Sequence, residues 1–165
     1  MISTSASNAL RNTACNAFLV VELDEELHFN IYRGQTLNGP FYGNLLKFPL
    51  APYKSYCSTY QSACISRGCY GKYWETEKSS CQFGAASFPG TLTGNGSPRW
   101  KQRAIYDHFK DMLPLMVDDQ SISRISVWDP LPSSGKLLGS VLCNPPVSKA
   151  DQMSILALIV SRICP

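Results

Sequence analysis

Two apolar periodicities alternate along this chain, and their order constrains the fold more than any other feature. Recurrence at three and four residues marks a helix face, and strict alternation marks a strand. The helical period comes first. Ala6, Leu10, Thr13, Ala17 and Val21 recur at those spacings, and Ala9, Ala14 and Phe18 widen the stripe. Ser3, Thr4 or Ser5 can cap the first turn, since a hydroxyl accepts from its orphan N–H groups. Asp24, Glu25 and Glu26 sit where the helix dipole disfavours negative charge, so the helix is expected to stop at or before Asp24. Residues 27–33 then alternate, with Leu27, Phe29 and Ile31 against His28, Asn30 and Tyr32, which reads as a strand ended by Gly34. Asn38-Gly39-Pro40 marks a turn, and residues 41–48 read as a second strand stopped by Pro49 and Pro52.

The middle of the chain differs in kind. Residues 53–96 are rich in Ser, Gly, Tyr and Cys and show little period, beyond short strands near 70–76 and 82–85. Ser97-Pro98 opens a second helix, because Ser97 caps and Pro98 at the first helical position has no N–H to lose. Trp100, Ala104, Ile105, His108, Phe109 and Met112 form its stripe, and Pro114 is expected to end it. Residues 121–128 alternate as a strand, and 136–143 return from the turn at Asp129-Pro130 as the second arm of a hairpin. Residues 154–163 are apolar on both faces and read as a central strand. No βαβ alternation is visible, which argues against a doubly wound nucleotide fold. The expected class is mainly β (α+β): an antiparallel β-sheet or sandwich with an N-terminal helix and a helix-containing irregular insertion. One domain spans 1–165, with residues 53–120 as a Cys- and Tyr-rich insertion.

Charge narrows the partners. Charged residues make up only 16% of the 165 residues, below the usual quarter, so the surface suits an assembly in which it meets a partner. The net charge of +3 is scattered, and no basic run supports nucleic-acid binding. The longest apolar run is too short for a bilayer span, and residues 1–8 lack the basic and apolar regions of a secretory signal. The expectation is therefore no membrane, no nucleic acid and a reducing compartment.

Chemistry is hard to find. Four of the seven cysteines, Cys57, Cys64, Cys69 and Cys81, are spaced C-x6-C-x4-C-x11-C, which is not a zinc knuckle, so they are weak metal candidates and read better as buried thiols. His28 and His108 have no carboxylate or thiol at a metal-binding spacing. The segment from Gly94 to Ser97 lacks the ending of a phosphate loop, and the pairs Glu25-Glu26 and Asp118-Asp119 do not face one another. Neither a catalytic residue nor a cofactor is expected. The aromatic residues Tyr53, Tyr56, Tyr60, Tyr70, Tyr73, Trp74 and Trp100 are interface candidates, with a local core as the competing reading.

The terminal segments, residues 3–51 and 121–163, resemble small bacteriophage virion structural proteins of the head decoration (cement) or tail accessory type. The resemblance rests on Ser7-Asn8-Ala9-Leu10-Arg11-Asn12 with Ala17 and Phe18 downstream, then Ile31-Tyr32-Arg33-Gly34 and the turn and strand from Gly39 to Phe48. It resumes at Ser123-Arg124-Ile125-Ser126-Val127-Trp128-Asp129 and Leu138-Gly139-Ser140-Val141, and continues over residues 154–163. It implies a non-enzymatic virion subunit assembled in the bacterial host cytoplasm. A capsid decoration or cement protein is favoured over a tail or head–tail connector part. The major capsid protein or other virion subunits would be its partners, and it would form a homo-oligomer. A host- or carbohydrate-binding module using the aromatic insertion is the alternative.

Overall fold

A computed structural model describes residues 18–45, 48–117 and 120–163. It is mainly helical, with one two-stranded parallel sheet, and this overturns the expected antiparallel sheet or sandwich. Strand β1 (Phe18–Asp24) pairs with β2 (Gln120–Ser126). Between them run α1 (Ile31–Thr36), α2 (Leu50–Thr59), α3 (Gln61–Gly68), α4 (Gly71–Trp74), α5 (Glu77–Phe83) and α6 (Pro98–Met116). After β2 come α7 (Leu138–Leu142) and α8 (Lys149–Ile163).

Local capping explains most of the departures. Residues 27–33 do not form a strand, because the Asn30 side chain accepts from the N–H groups of Tyr32 and Arg33 and starts α1. A 3-10 turn, Glu26–His28, precedes it. Pro40 opens a 3-10 turn where a second strand was expected. The short strands expected near 70–76 and 82–85 are occupied by α4 and α5, the latter capped by Thr76 and Ser79 in a reciprocal box. The expected hairpin arm at 136–143 contains α7, and among the described residues only an isolated bridge, Pro130 to Leu137, is antiparallel. The expected last strand is α8, started by Ser148, whose hydroxyl accepts from the Asp151 N–H.

Two readings survive. Ser97 caps α6 by accepting from the Trp100 N–H, although the helix runs two residues past Pro114. β2 covers residues 120–126, short of the expected end at 128, and pairs in parallel with β1 rather than in the expected hairpin. The N-terminal helix lies mostly outside the described residues, and its expected last turn, from Phe18, is β1. Phe18, Leu19, Val20 and Val21 include the β-branched run that favours a strand.

Packing is divided into three apolar clusters. Phe29, Leu37, Tyr42, Tyr53 and Cys57 form one beside α1 and α2. Leu27, Cys64, Trp74 and Trp100 form the second between α3, α4 and α6. Ile125, Leu131, Leu138, Val141 and Leu158 form the third, where α7 and α8 cover β2. Residues 53–120 thus supply side chains to two of the three clusters rather than standing apart from them.

Candidate functional site

The strand register fixes which side chains meet. Val21 pairs with Ser123, Glu22 with Arg124 and Leu23 with Ile125. Neighbouring positions point to opposite faces. Ser123 and Ile125 face α8: the Ser123 hydroxyl donates to the Arg162 carbonyl at 2.5 Å, and Ile125 packs in the cluster with Leu158. Arg124 faces α6, together with Glu22 and Asp24.

On the α6 face lies a buried ionic hub. Arg124 donates through Nε to Asp111 Oδ1 at 2.5 Å and through Nη1 to Asp24 Oδ1 at 2.7 Å, and its Nη2 is 3.6 Å from Asp107 Oδ1. Arg33 on α1 reaches the other Asp111 oxygen at 2.6 Å, which also accepts from Tyr42 at 2.6 Å. Tyr53 donates to Asp24 Oδ2 at 2.9 Å. His28 Nδ1 lies 2.7 Å from Asp107 Oδ2 and 3.4 Å from Asp24 Oδ1. With His28 protonated, three carboxylates balance two guanidiniums and one imidazolium. A second knot sits nearby, where Asp129 accepts from its own turn at Ser126 N, from Tyr56 on α2 and from Arg162 on α8.

Asp24, His28 and Asp107 are the one group among the described residues whose donor atoms converge as a metal site requires, within 4.8 Å of one another. Arg124 decides against a cation there. Its guanidinium already lies against both carboxylates, so a metal bound to Asp24 would face a fixed positive charge at close range. The cluster reads as a lock joining β1, β2, α1 and α6.

The lock has a pH consequence. Burial raises the Asp107 carboxyl, but the hydrogen bond and charge of His28, with Arg124 and Arg33 behind them, outweigh it and hold the value at about 2, below its ordinary 3.8. A depressed carboxyl stabilises the fold above its ordinary value, and that stability is lost as pH falls through the folded value. Urea midpoints taken between about pH 5 and pH 2 should therefore show a loss of about 2 kcal/mol from this group. Asp107→Asn should be less stable at pH 5 and should lack that part of the slope. An identical acid slope in the variant would refute the assignment.

The opposite face of the sheet is bare around β1. Leu19, Val21 and Leu23 point to the α8 side, yet α8 packs on β2, and the three are 42–50% exposed. Val20, on the α6 side, is also half exposed. The two helices carry exposed apolar stripes of their own: Tyr106, Phe109 and Leu113 on α6, and Met153, Leu156 and Val160 on α8. Glu22, the one charge in the middle of β1, is paired with Lys110 at 2.9 Å. β1 thus exposes apolar side chains along an outer edge that has no partner among the described residues.

A family model described as a family of unknown function (DUF7255) matches residues 4–144. The chain belongs to this family. No curated protein and no solved structure matches it. The DUF7255 match spans every residue of the ionic hub and all of residues 53–120, and stops before α8. Among the described residues, no helix is long and apolar enough to cross a membrane.

Within this DUF7255 chain the residues singled out from sequence separate into inside and outside. Tyr53, Trp74 and Trp100 are buried in the protein's own core, and Tyr56 and Tyr60 are half-buried, with Tyr60 stacked on Trp128 at 3.8 Å. Tyr70 and Tyr73 are exposed. Cys57 and Cys64 are buried, Cys69 is half-buried and Cys81 exposed, all as free thiols, and the four are not gathered at one point. Burial pushes Cys57 up to about 11 and Cys64 up to about 12, which keeps both protonated and unreactive. His108 packs against Phe41 and Tyr42, where burial and then Arg33 lower its value. Sequence reasoning missed Arg33, Asp107, Asp111 and Arg124. One signal existed for the acids: Asp107 and Asp111 continue the buried spacing of Trp100 and Ala104 along α6.

Proposed function

We propose that the protein is a non-enzymatic assembly subunit whose work is to bury the exposed apolar edge strand β1 against a second copy of itself. The observation that carries this is the exposed, apolar, charge-neutralised edge strand. A parallel pair with apolar residues on both faces suits a larger sheet covered on both sides, and two strands alone are marginal. Monomeric proteins guard such edges with unpaired charge, proline or a covering segment. On β1 the only charged side chain within the exposed run is already engaged by Lys110.

A second copy fits this edge by symmetry. A two-fold axis at Val21, normal to the sheet, sets Leu19 of one copy against Leu23 of the other and Val21 against Val21. That axis keeps α6 and its mate on one face of the joined sheet and α8 and its mate on the other. The isologous arrangement closes, as most homodimers do. The ionic hub behind β1 holds the strand rigid, which limits the ordering cost of association. A phage particle, the setting implied by the terminal segments, is one assembly that uses such subunits, but the proposal stands on the β1 edge and not on that setting.

Sedimentation velocity on the full chain tests it. The wild type should be dimeric at micromolar concentrations. Val21→Lys, at an exposed position, should weaken the dimer by ~30-fold or more while leaving the circular dichroism spectrum unchanged. A wild type that stays monomeric at ~100 µM, or a Val21→Lys variant that dimerises as before, would sink the proposal.

A further inference from the structure

The face of α6 away from the sheet carries a second site. A cavity of about 750 Å³ opens between α1, α6 and the loop that joins α5 to α6. That is the size range of small-molecule sites, which are mostly apolar with a few placed polar groups. Ile31, Phe83, Leu92 and Ile105 supply apolar wall, and Gln35 and Asn38 supply amides at the rim. Among the described residues, Lys101 is the one formal charge in the lining and no carboxylate lines the cavity.

The walls are set in place before any ligand arrives. The Asn95 side-chain amide donates to the carbonyls of Phe83 and Ala85 and so ties the loop to the end of α5. Ser87 bonds to Thr93 O through its hydroxyl and to Gly96 O through its N–H. Gly94 and Gly96 adopt positive φ of 67° and 61°. A side chain at Gly96 would overlap the Tyr32 hydroxyl, so only glycine lets the loop close on α1. Lys101 Nζ is anchored by Asn95 Oδ1 at 2.6 Å and lies 5.5 Å from the centre of the Tyr32 ring. An ammonium has three donors, and this contact uses one.

We propose that this cavity binds an amphiphilic monoanion, a ligand with an apolar chain or ring and a single carboxylate or sulfonate head held by Lys101. A lone lysine between apolar walls recognises charge at one end and area along the rest. A multiply charged ligand would lack partners for its further charges, and a neutral one would leave the ammonium unused.

The test uses the full chain and an aryl sulfonate dye, 1-anilinonaphthalene-8-sulfonate, as the probe, with two-dimensional amide NMR to place it. The dye should bind with shifts at Gln35, Lys101 and Ile105. Octanoate and octanesulfonate should both displace it from there, and whichever does so at lower concentration identifies the preferred head. Octanol and acetate should displace it at least ~10-fold less well, since each lacks half of the ligand. Lys101→Met should weaken octanoate by ~10-fold or more, and Lys101→Arg should restore most of the affinity, which separates head-group contact from loss of the loop anchor. Shifts confined to β1 and α8, or equal octanoate affinity in Lys101→Met and wild type, would overturn the site.

Discussion

Replacing Arg124 with methionine is expected to cost about 3–5 kcal/mol of stability, the scale seen when one partner of a buried ionic group is removed. The side chain is fully buried and presents three separate nitrogens to three carboxylates on two different elements. Without it, Asp24 keeps Tyr53 and His28, and Asp111 keeps Arg33 and Tyr42. The cluster then carries one net negative charge even with His28 protonated, in a largely buried site. A domain of this size has about 5–15 kcal/mol in total, so the variant should sit close to unfolding at neutral pH. Arg124→Lys sharpens the argument. It keeps the charge, but one ammonium cannot span Asp24 and Asp111 as the planar fork does, so most of the loss, more than about 2 kcal/mol, should remain. Denaturant midpoints decide both. An Arg124→Met protein within about 1 kcal/mol of wild type would mean that the hub does not hold β1 and β2 to α6.

How much of this could be read from the chain differs element by element, and the reason is local in each case. α6 was legible because its cap, its first-turn proline and its stripe all agree. β2 was legible because alternation coincides with a run bounded by polar residues. α8 was misread because an apolar run of that length fits a buried strand and a buried helix equally well by period. The deciding signal was Ser148, whose hydroxyl accepts from the Asp151 N–H and donates to the Asp151 carboxylate, upstream of the run and not in it. α1 was misread for the same reason, since the alternation over residues 27–33 conceals a capping asparagine at its centre. β1 was misread in the other direction, as the tail of a helical stripe whose spacing continued into a β-branched segment.

The ionic hub was not legible at all. Asp24 and Arg124 stand a hundred positions apart, and no spacing rule connects them. What the sequence does show is that Arg124 lies inside a strand and that two aspartates fall on the core side of a helix. Each is costly to bury alone, and only the fold brings the costs together so that they cancel. The bare β1 edge was anticipated only in outline, through the low charge content, because exposure on both faces is a property of pairing and not of composition.

Trp100→Ala supplies the second large effect, and it separates the two readings of the aromatic residues. As an interface residue, Trp100 would leave the monomer's stability nearly unchanged when truncated. In the structure it is 1% exposed, meets Trp74 edge-to-face at 5.1 Å and closes over Gly68 and Leu27. Removing it should cost about 3–5 kcal/mol, because a cavity of indole size opens between α3, α4 and α6 with no side chain free to fill it. Trp100 Nε1 is buried without a hydrogen-bond partner among the described residues, so Trp100→Phe removes an unsatisfied donor as well as volume and should cost far less, about 1 kcal/mol. Tyr73→Ala, at 46% exposure, should stay within about 0.5 kcal/mol of wild type. Thermal and denaturant unfolding of the three variants gives the order directly. If Tyr73→Ala were as damaging as Trp100→Ala, or Trp100→Ala as mild as Tyr73→Ala, the division of the aromatic segment into core and surface would be wrong. The β1 edge would then lose its standing as the main apolar surface left for a partner.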